Sequence, residues 1–321
     1  MAGLRISEDM DECRYFWENL WPRECLFDLW EVRRCFAEAF NRPHRFHVAE
    51  KDGKPMGMLA LSWIEEENRF GYFPGETWHG KTWLEQNKFI ATSPRVAEEL
   101  LQSIAGEAQL RYLTHNVRFM TGRGVAQDEV GYLFLPGQYD YCFETYMQSF
   151  SGKTRKKLNT ELSRLEARGV VFHHDRYSDV DFVFAMNRSV FGSHSYFDDP
   201  RFLGAFERLV PWLQDQGLLR VTTVEIGGSL AAVDIGALWK NEYTLLAGAT
   251  HPDFPGVAKL INFYHMKHAC AQRFDAVDFL CGDFNWKERF HLTPRPLYKL
   301  EIQGDALSRE DFMQTSRVAC A

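Results

Sequence analysis

Several features that would narrow the role of this chain at once are missing. Its seven cysteines (Cys13, Cys25, Cys35, Cys142, Cys270, Cys281 and Cys320) include no CxxC pair, so neither a disulfide framework nor a thiolate zinc site is expected. No uninterrupted apolar run reaches the roughly 18 residues that a membrane-spanning helix requires. The opening, residues 1–13, is acidic where a secretory leader is basic and then apolar, so a cytoplasmic location is expected. Positive charge is not in surplus: 37 Lys and Arg stand against 44 Asp and Glu, a formal charge of -7. That argues against DNA as a partner and leaves only local basic patches for an anion. No low-complexity linker divides the sequence.

What is present is enough apolar material for two cores. A chain of 321 residues, 45% hydrophobic, suits two domains of about 150 residues each. In the first half the patterning predicts a helix over 28–40, then strands over 45–50 and 55–64 around the tight-turn tetrad Lys51-Asp52-Gly53-Lys54. A strand over 69–73, a helix over 95–108 and strands over 110–115 and 129–135 follow. The second half opens with a helix over 153–168, whose Leu158, Leu162 and Leu165 share one face, and Gly169 ends it. Beyond it come a strand over 170–174, helices over 180–191 and 200–216, and strands over 218–226, 229–239 and 242–250. A helix over 257–273 and strands over 276–280 and 297–302 complete the pattern. The alternation implies mixed α/β sheets. A faint echo between the two glycine-turn hairpins, 48–61 and 223–235, points to duplicated domains joined near 136–152.

Some residues stand out chemically. Asp234 interrupts the apolar run Leu230-Ala-Ala-Val-Asp-Ile235; if it faces the core its carboxylate suits a general base, and if strand alternation turns it outward it is only a surface group. Lys153, Arg155, Lys156 and Lys157 crowd a helix start, where cations oppose the dipole. They form either a phosphate-binding patch or a solvated face. The pairs His173-His174 and His265/His268 lack a second half at metal-site spacing, so no metal is expected.

The segment Ser151-Gly-Lys-Thr-Arg-Lys-Lys-Leu-Asn-Thr-Glu-Leu-Ser-Arg-Leu-Glu-Ala-Arg-Gly169, followed by Asp278-Phe-Leu-Cys-Gly-Asp-Phe-Asn-Trp-Lys-Glu-Arg-Phe290, resembles the paired signatures of the Fem-like, CelD-like acyltransferases. In these tandem GNAT proteins a basic helix opens the second domain and a "DF..G...YK..F" segment ends its central strand. The likeness runs to about residue 302 and includes Phe73-Pro-Gly75. Asn159 and Thr160 stand where the family often has two arginines, and Trp286 where it has tyrosine.

This resemblance implies an α/β fold of the α+β kind: two tandem GNAT-like domains, 1–148 and 149–321, each a mixed, mostly antiparallel sheet flanked by helices. It implies an acyltransferase that carries an acyl group from acyl-CoA, or from acyl-phosphopantetheine on a carrier protein, to an amine on a small molecule, glycan or peptide. The donor's pyrophosphate would meet the helix start Pro255, Gly256, Val257, Ala258 and Lys259, with Arg155 and Lys156 as further cations. The family's glycine-rich donor loop is missing there. Lys287 would lie beside the acyl-transfer centre and steady an oxyanion, unless it is a solvated helix lysine. Asp283, four residues earlier, would orient it or else cap the following turn. Tyr298 or Tyr264 would supply a phenol to the leaving thiolate. Two alternatives remain open: aminoacyl transfer from tRNA, as in Fem-type enzymes, and a non-catalytic binding module.

Overall fold

The computed structural model describes residues 3–114, 124–282 and 285–304. The chain forms two units, Met1–Glu129 with Gly204–Phe206 and Pro296–Ala321, and Val130–Leu203 with Glu207–Arg295. Each holds a mixed, mostly antiparallel set of strands flanked by helices.

In the first unit β1 (Gly3–Ser7) and α1 (Met10–Leu20) precede the elements expected from the pattern. The Asp9 side chain accepts the Glu12 N–H at 2.9 Å and so starts α1, whose Cys13, Phe16 and Trp17 turn inward at helical spacing. Then come α2 (Trp30–Phe40), β2 (His44–Lys51), β3 (Lys54–Ile64), β4 (Arg69–Tyr72), the two-residue β5 (Ile90–Ala91), α3 (Pro94–Gln102) and β6 (Ala108–Leu113). Helix α3 stops well before 108, because Ser103 Oγ donates to the Leu100 carbonyl at 2.6 Å and closes the last turn. Trp17, Trp30, Phe46 and Phe73 centre the core. Near it Asp28, 1% exposed, accepts from Trp21 Nε1 (2.7 Å), Lys88 Nζ (2.6 Å) and the Glu24 and Cys25 N–H groups. A buried ion pair is tolerated when its remaining lone pairs are satisfied in this way.

Strands β4 and β6 run parallel through a single pair, Phe70 with Ala108, and then separate. The chain itself fills the gap. Asn87 forms a parallel bridge to Leu113, its N–H donating to the Tyr112 carbonyl and its carbonyl accepting the Thr114 N–H, both at 2.9 Å.

The second unit follows β7 (Val125–Phe134) with α4 (Phe143–Gln148), α5 (Gly152–Glu166), β8 (Val170–His174), α6 (Val180–Phe191) and α7 (Pro200–Asp215). β9 (Leu219–Ile226), β10 (Ser229–Trp239) and β11 (Glu242–Thr250) form an antiparallel meander. Gly227 and Gly228, at φ 59 and 78, make its first turn, a left-handed pair that matches strand twist. After α8 (Val257–Gln272) come β12 (Ala276–Asp278) and α9 (Trp286–Arg289); β13 (Thr293–Ile302) follows, and its residues from Tyr298 on, which belong to the first unit, pair there with β6. The strand order here is β8-β9-β10-β11-β12-β7, antiparallel except where β11 meets β12.

Candidate functional site

The parallel contact between β11 and β12 covers only Glu242–Thr244 against Ala276–Asp278. β11 runs on to Thr250, while the chain after Asp278 stays with β7: Phe279 N donates to the Tyr132 carbonyl (2.9 Å) and Tyr132 N to the Leu280 carbonyl (3.2 Å). The cause of the parting is local. Leu280 takes a left-handed conformation, φ 56, and its N–H donates to Asp278 Oδ1 at 2.9 Å. Asp278, fully buried, is held in turn by Arg295 at 2.8 and 3.1 Å. Lys287, 3% exposed, donates from Nζ to the carbonyls of Phe279, Leu280 and Cys281 at 3.0, 2.9 and 2.8 Å and lies 5.5 Å from the Tyr132 ring centre. The two ends of the "DF..G...YK..F" segment therefore cooperate to curl the chain off β11.

A cavity of about 330 Å³ opens where the strands part. Gly248 and Thr250 line it together with Leu245 and Ala249. Side chains of opposite parity point to opposite faces of a strand, so the cavity wraps the free edge of β11. Asn187 of α6, Asp234 of β10, Ala258 and Asn262 of α8 and Trp286 of α9 also reach it.

Asp234 is 4% exposed, which settles the choice left by strand alternation in favour of the interior. Its cross-strand partner is Gly248, and a Cβ on Gly248 would fall 2.2 Å from Asp234 Oδ1, so only glycine leaves room for the carboxylate. Oδ2 lies 2.8 Å from Nε2 of His265, itself buried. Tyr243 stacks on the His265 ring with centroids 5.0 Å apart, and burial, with the Asp234 charge adding to it, holds the Tyr243 phenol well above its ordinary value. His265 also lines a second cavity, of about 240 Å³, with His174, Arg220, Tyr264 and His268. There Tyr264 Oη sits 3.0 Å from His174 Nε2, and partial burial raises its pKa. The Asp234–His265 pair thus stands between two cavities.

Residues 152–288 match the family described as an acetyltransferase (GNAT) domain. The matched stretch lies almost wholly in the second unit. Among solved structures the chain is similar to FemX (TM-score 0.57, 10% identity, 97% of this chain and 99% of that one). It is also similar to L-PGS from Bacillus licheniformis (TM-score 0.54, 12% identity, 97% of each chain). A third is a tandem GNAT protein from the clavulanic acid biosynthesis pathway (TM-score 0.50, 10% identity, 94% of this chain and 98% of that one). At these identities the likeness shows the fold. No curated protein matches the sequence.

The donor end is only partly built as the resemblance implies. Gly256, at φ 93, is the N-cap of α8, and Pro255, Gly256 and Ala258 are exposed at its start while Val257 packs inward. Lys259 is ion-paired with Glu161 of α5, which holds the Glu161 carboxyl below its usual range. Lys156 is exposed on α5 and Arg155 half-buried.

The residues singled out from sequence distribute unevenly. Asp234 and Ala258 share the cavity, and Lys287 is not on its wall but bound to the carbonyls of Phe279, Leu280 and Cys281. Tyr298 belongs to the first unit, packed against that unit's core. Asp283 lies outside the described residues; the residue before α9 is Asn285, also left-handed. Among the described residues no group of three or more His, Cys, Asp or Glu is arranged to hold a metal, and no helix is long and apolar enough to cross a membrane. Sequence reasoning missed His265 as the partner of Asp234. The available signal was a pair of glycines inside neighbouring strands, Gly236 and Gly248, since interior strand glycines mark close approach. Gly236 is needed too: a Cβ there would meet the Tyr243 ring at 2.3 Å.

Proposed function

We propose that this protein is an N-acyltransferase that moves an acyl group from a thioester, either acyl-CoA or acyl-phosphopantetheine on a carrier protein, to an amine on a small molecule, glycan or peptide. The observation that carries the reading is the cavity wrapped around the free edge of β11 with the Asp234 carboxylate on its wall. A pantetheine arm has amides that can pair with an open strand edge as an added strand would, leaving its thioester beside Asp234. The amine nitrogen attacks the thioester carbonyl, a C–N bond forms, the C–S bond breaks, and the amine's proton passes to Asp234. Backbone N–H groups of the open edge steady the oxyanion. Lys287 in this reading shapes the cleft. Catalysis belongs to the second unit, which holds most of the expected domain 149–321, and the first unit, which holds most of the expected domain 1–148, binds no donor in its own gap, where Asn87 already bridges to Leu113.

Thermal unfolding with a panel of acyl-CoA species tests the reading, because a ligand at 100 times its Kd stabilises by about 2.7 kcal/mol. A shift with acyl-CoA supports it; no shift with any thioester overturns it.

One observation favours aminoacyl transfer from tRNA as a second reading. The α8 start offers a single glycine, Gly256, preceded by two prolines, Pro252 and Pro255, that lack N–H groups, and Lys259 is already neutralised by Glu161, a thin cradle for a pyrophosphate. Stabilisation by an aminoacyl-tRNA but by no acyl thioester would select it.

A further inference from the structure

The cavity at the β11 edge is walled unevenly. Helix α6 contributes Met186, Asn187, Val190 and Phe191, one face of the helix. Asn187 is occupied: its Nδ2 donates to the Val183 carbonyl at 2.9 Å and to the Gly248 carbonyl at 3.0 Å. What α6 leaves toward the cavity is therefore apolar, and Leu245, Ile261 and Trp286 extend that surface from β11, α8 and α9. Asp234 is the one ionisable group on the wall among the described residues. Val190 and Phe191 are 51% and 55% exposed, so a large aliphatic and a large aromatic side chain stand open to water at the margin of the cavity. A volume of about 330 Å³ lies at the low end of the roughly 300–1,000 Å³ typical of small-ligand sites. It suits an acyl group with the end of its thiol arm.

We infer that the group transferred is an unbranched aliphatic acyl chain several carbons longer than acetyl, with Met186, Val190 and Phe191 setting the preferred length. An acetyl group would leave the α6 wall wet, and a charged aminoacyl group would meet a wall that is mostly apolar, with Thr250 and Asn262 as its neutral polar side chains beside Asn187 and with no charge but that of Asp234 among the described residues. Met186 adds an adaptable filler, since its unbranched thioether conforms to chains of different length. The inference rests on the thioester reading and goes beyond it by naming the acyl class.

The test is the affinity of the full-length protein for free CoA and for acetyl-, butyryl-, hexanoyl-, octanoyl- and dodecanoyl-CoA, repeated with Val190→Ser and Phe191→Ala. Each methylene beyond acetyl is expected to tighten binding about fourfold until the cavity is full. In either variant the octanoyl-to-acetyl affinity ratio is expected to fall at least tenfold. Because both side chains are half-exposed, an unchanged melting temperature without ligand shows that the fold is retained. Acetyl-CoA binding as tightly as octanoyl-CoA, or a ratio that neither substitution moves, overturns the inference and leaves the thioester reading standing. Failure of every thioester to bind overturns both.

Discussion

The carboxylate of Asp234 occupies the space that a side chain on Gly248 would need. The two residues are cross-strand partners on β10 and β11, and the 2.2 Å between Oδ1 and an added Cβ is far below contact distance. One glycine thus decides where the one acidic group of the cavity among the described residues points.

Replacing Gly248 with alanine is expected to push the carboxylate aside, strain its bond to His265 and destabilise the protein by about 1–3 kcal/mol. Denaturant unfolding measures this. Combining the change with Asp234→Ala should recover part of the loss, a coupling of about 0.5–3 kcal/mol. Simple additivity would show that the two side chains do not compete for the same space.

Asp234→Asn keeps shape and removes the proton acceptor. Aminolysis of acyl-CoA by a panel of primary amines is expected to slow by about 10²–10⁴ in kcat, with thioester affinity retained. His265→Gln should cost less, because it disturbs only the residue that orients the base. Equal rates for wild type and Asp234→Asn would move the base elsewhere.

The meander 219–250 was legible because its turns are two-residue pairs and its strands are rich in β-branched and small apolar residues. Helices 180–191 and 257–272 were legible from their apolar spacing, the second also from Pro255 and Gly256 at its start. The opening β1 and α1 were not, since α1 carries charge between its few buried residues. The parting of β11 and β12 could not be read locally at all. It depends on Lys287 meeting three carbonyls in the segment before it and on Arg295 meeting Asp278, contacts that no periodicity encodes. For the same reason Lys287 looked like a group poised over a substrate, whereas its ammonium is taken up by the backbone.

Lys287→Met, nearly equal in length, removes the ammonium from the Phe279 and Cys281 carbonyls and leaves the Leu280 carbonyl with the Tyr132 N–H alone. A loss of about 3 kcal/mol is expected by thermal unfolding, accompanied by faster amide exchange over 279–281. Lys287→Arg should not rescue it, since a planar fork cannot copy three converging bonds. A variant of unchanged stability would contradict the role assigned to this lysine.

Acid should weaken the first unit. His47 is 3% exposed, its Nδ1 lies 2.6 Å from Ser103 Oγ, and burial, with Arg45 nearby adding to it, lowers its pKa from 6.5 to about 4. The unfolded chain takes up the proton first, so the contribution of His47 is whole above about 6.5, falls as pH drops below that value and levels off below about 4. The total is on the order of 3 kcal/mol. Urea unfolding between pH 7 and 4 should show the decline, and His47→Gln should flatten it.

Amide hydrogen exchange with and without saturating octanoyl-CoA tests the central claim most directly, because it locates the donor without knowing the acceptor. The account predicts slowed exchange across 245–250, the free edge of β11, and at the start of α8, with none at β4 or β6 of the first unit. Binding without protection at 245–250, or protection confined to the first unit, would contradict it.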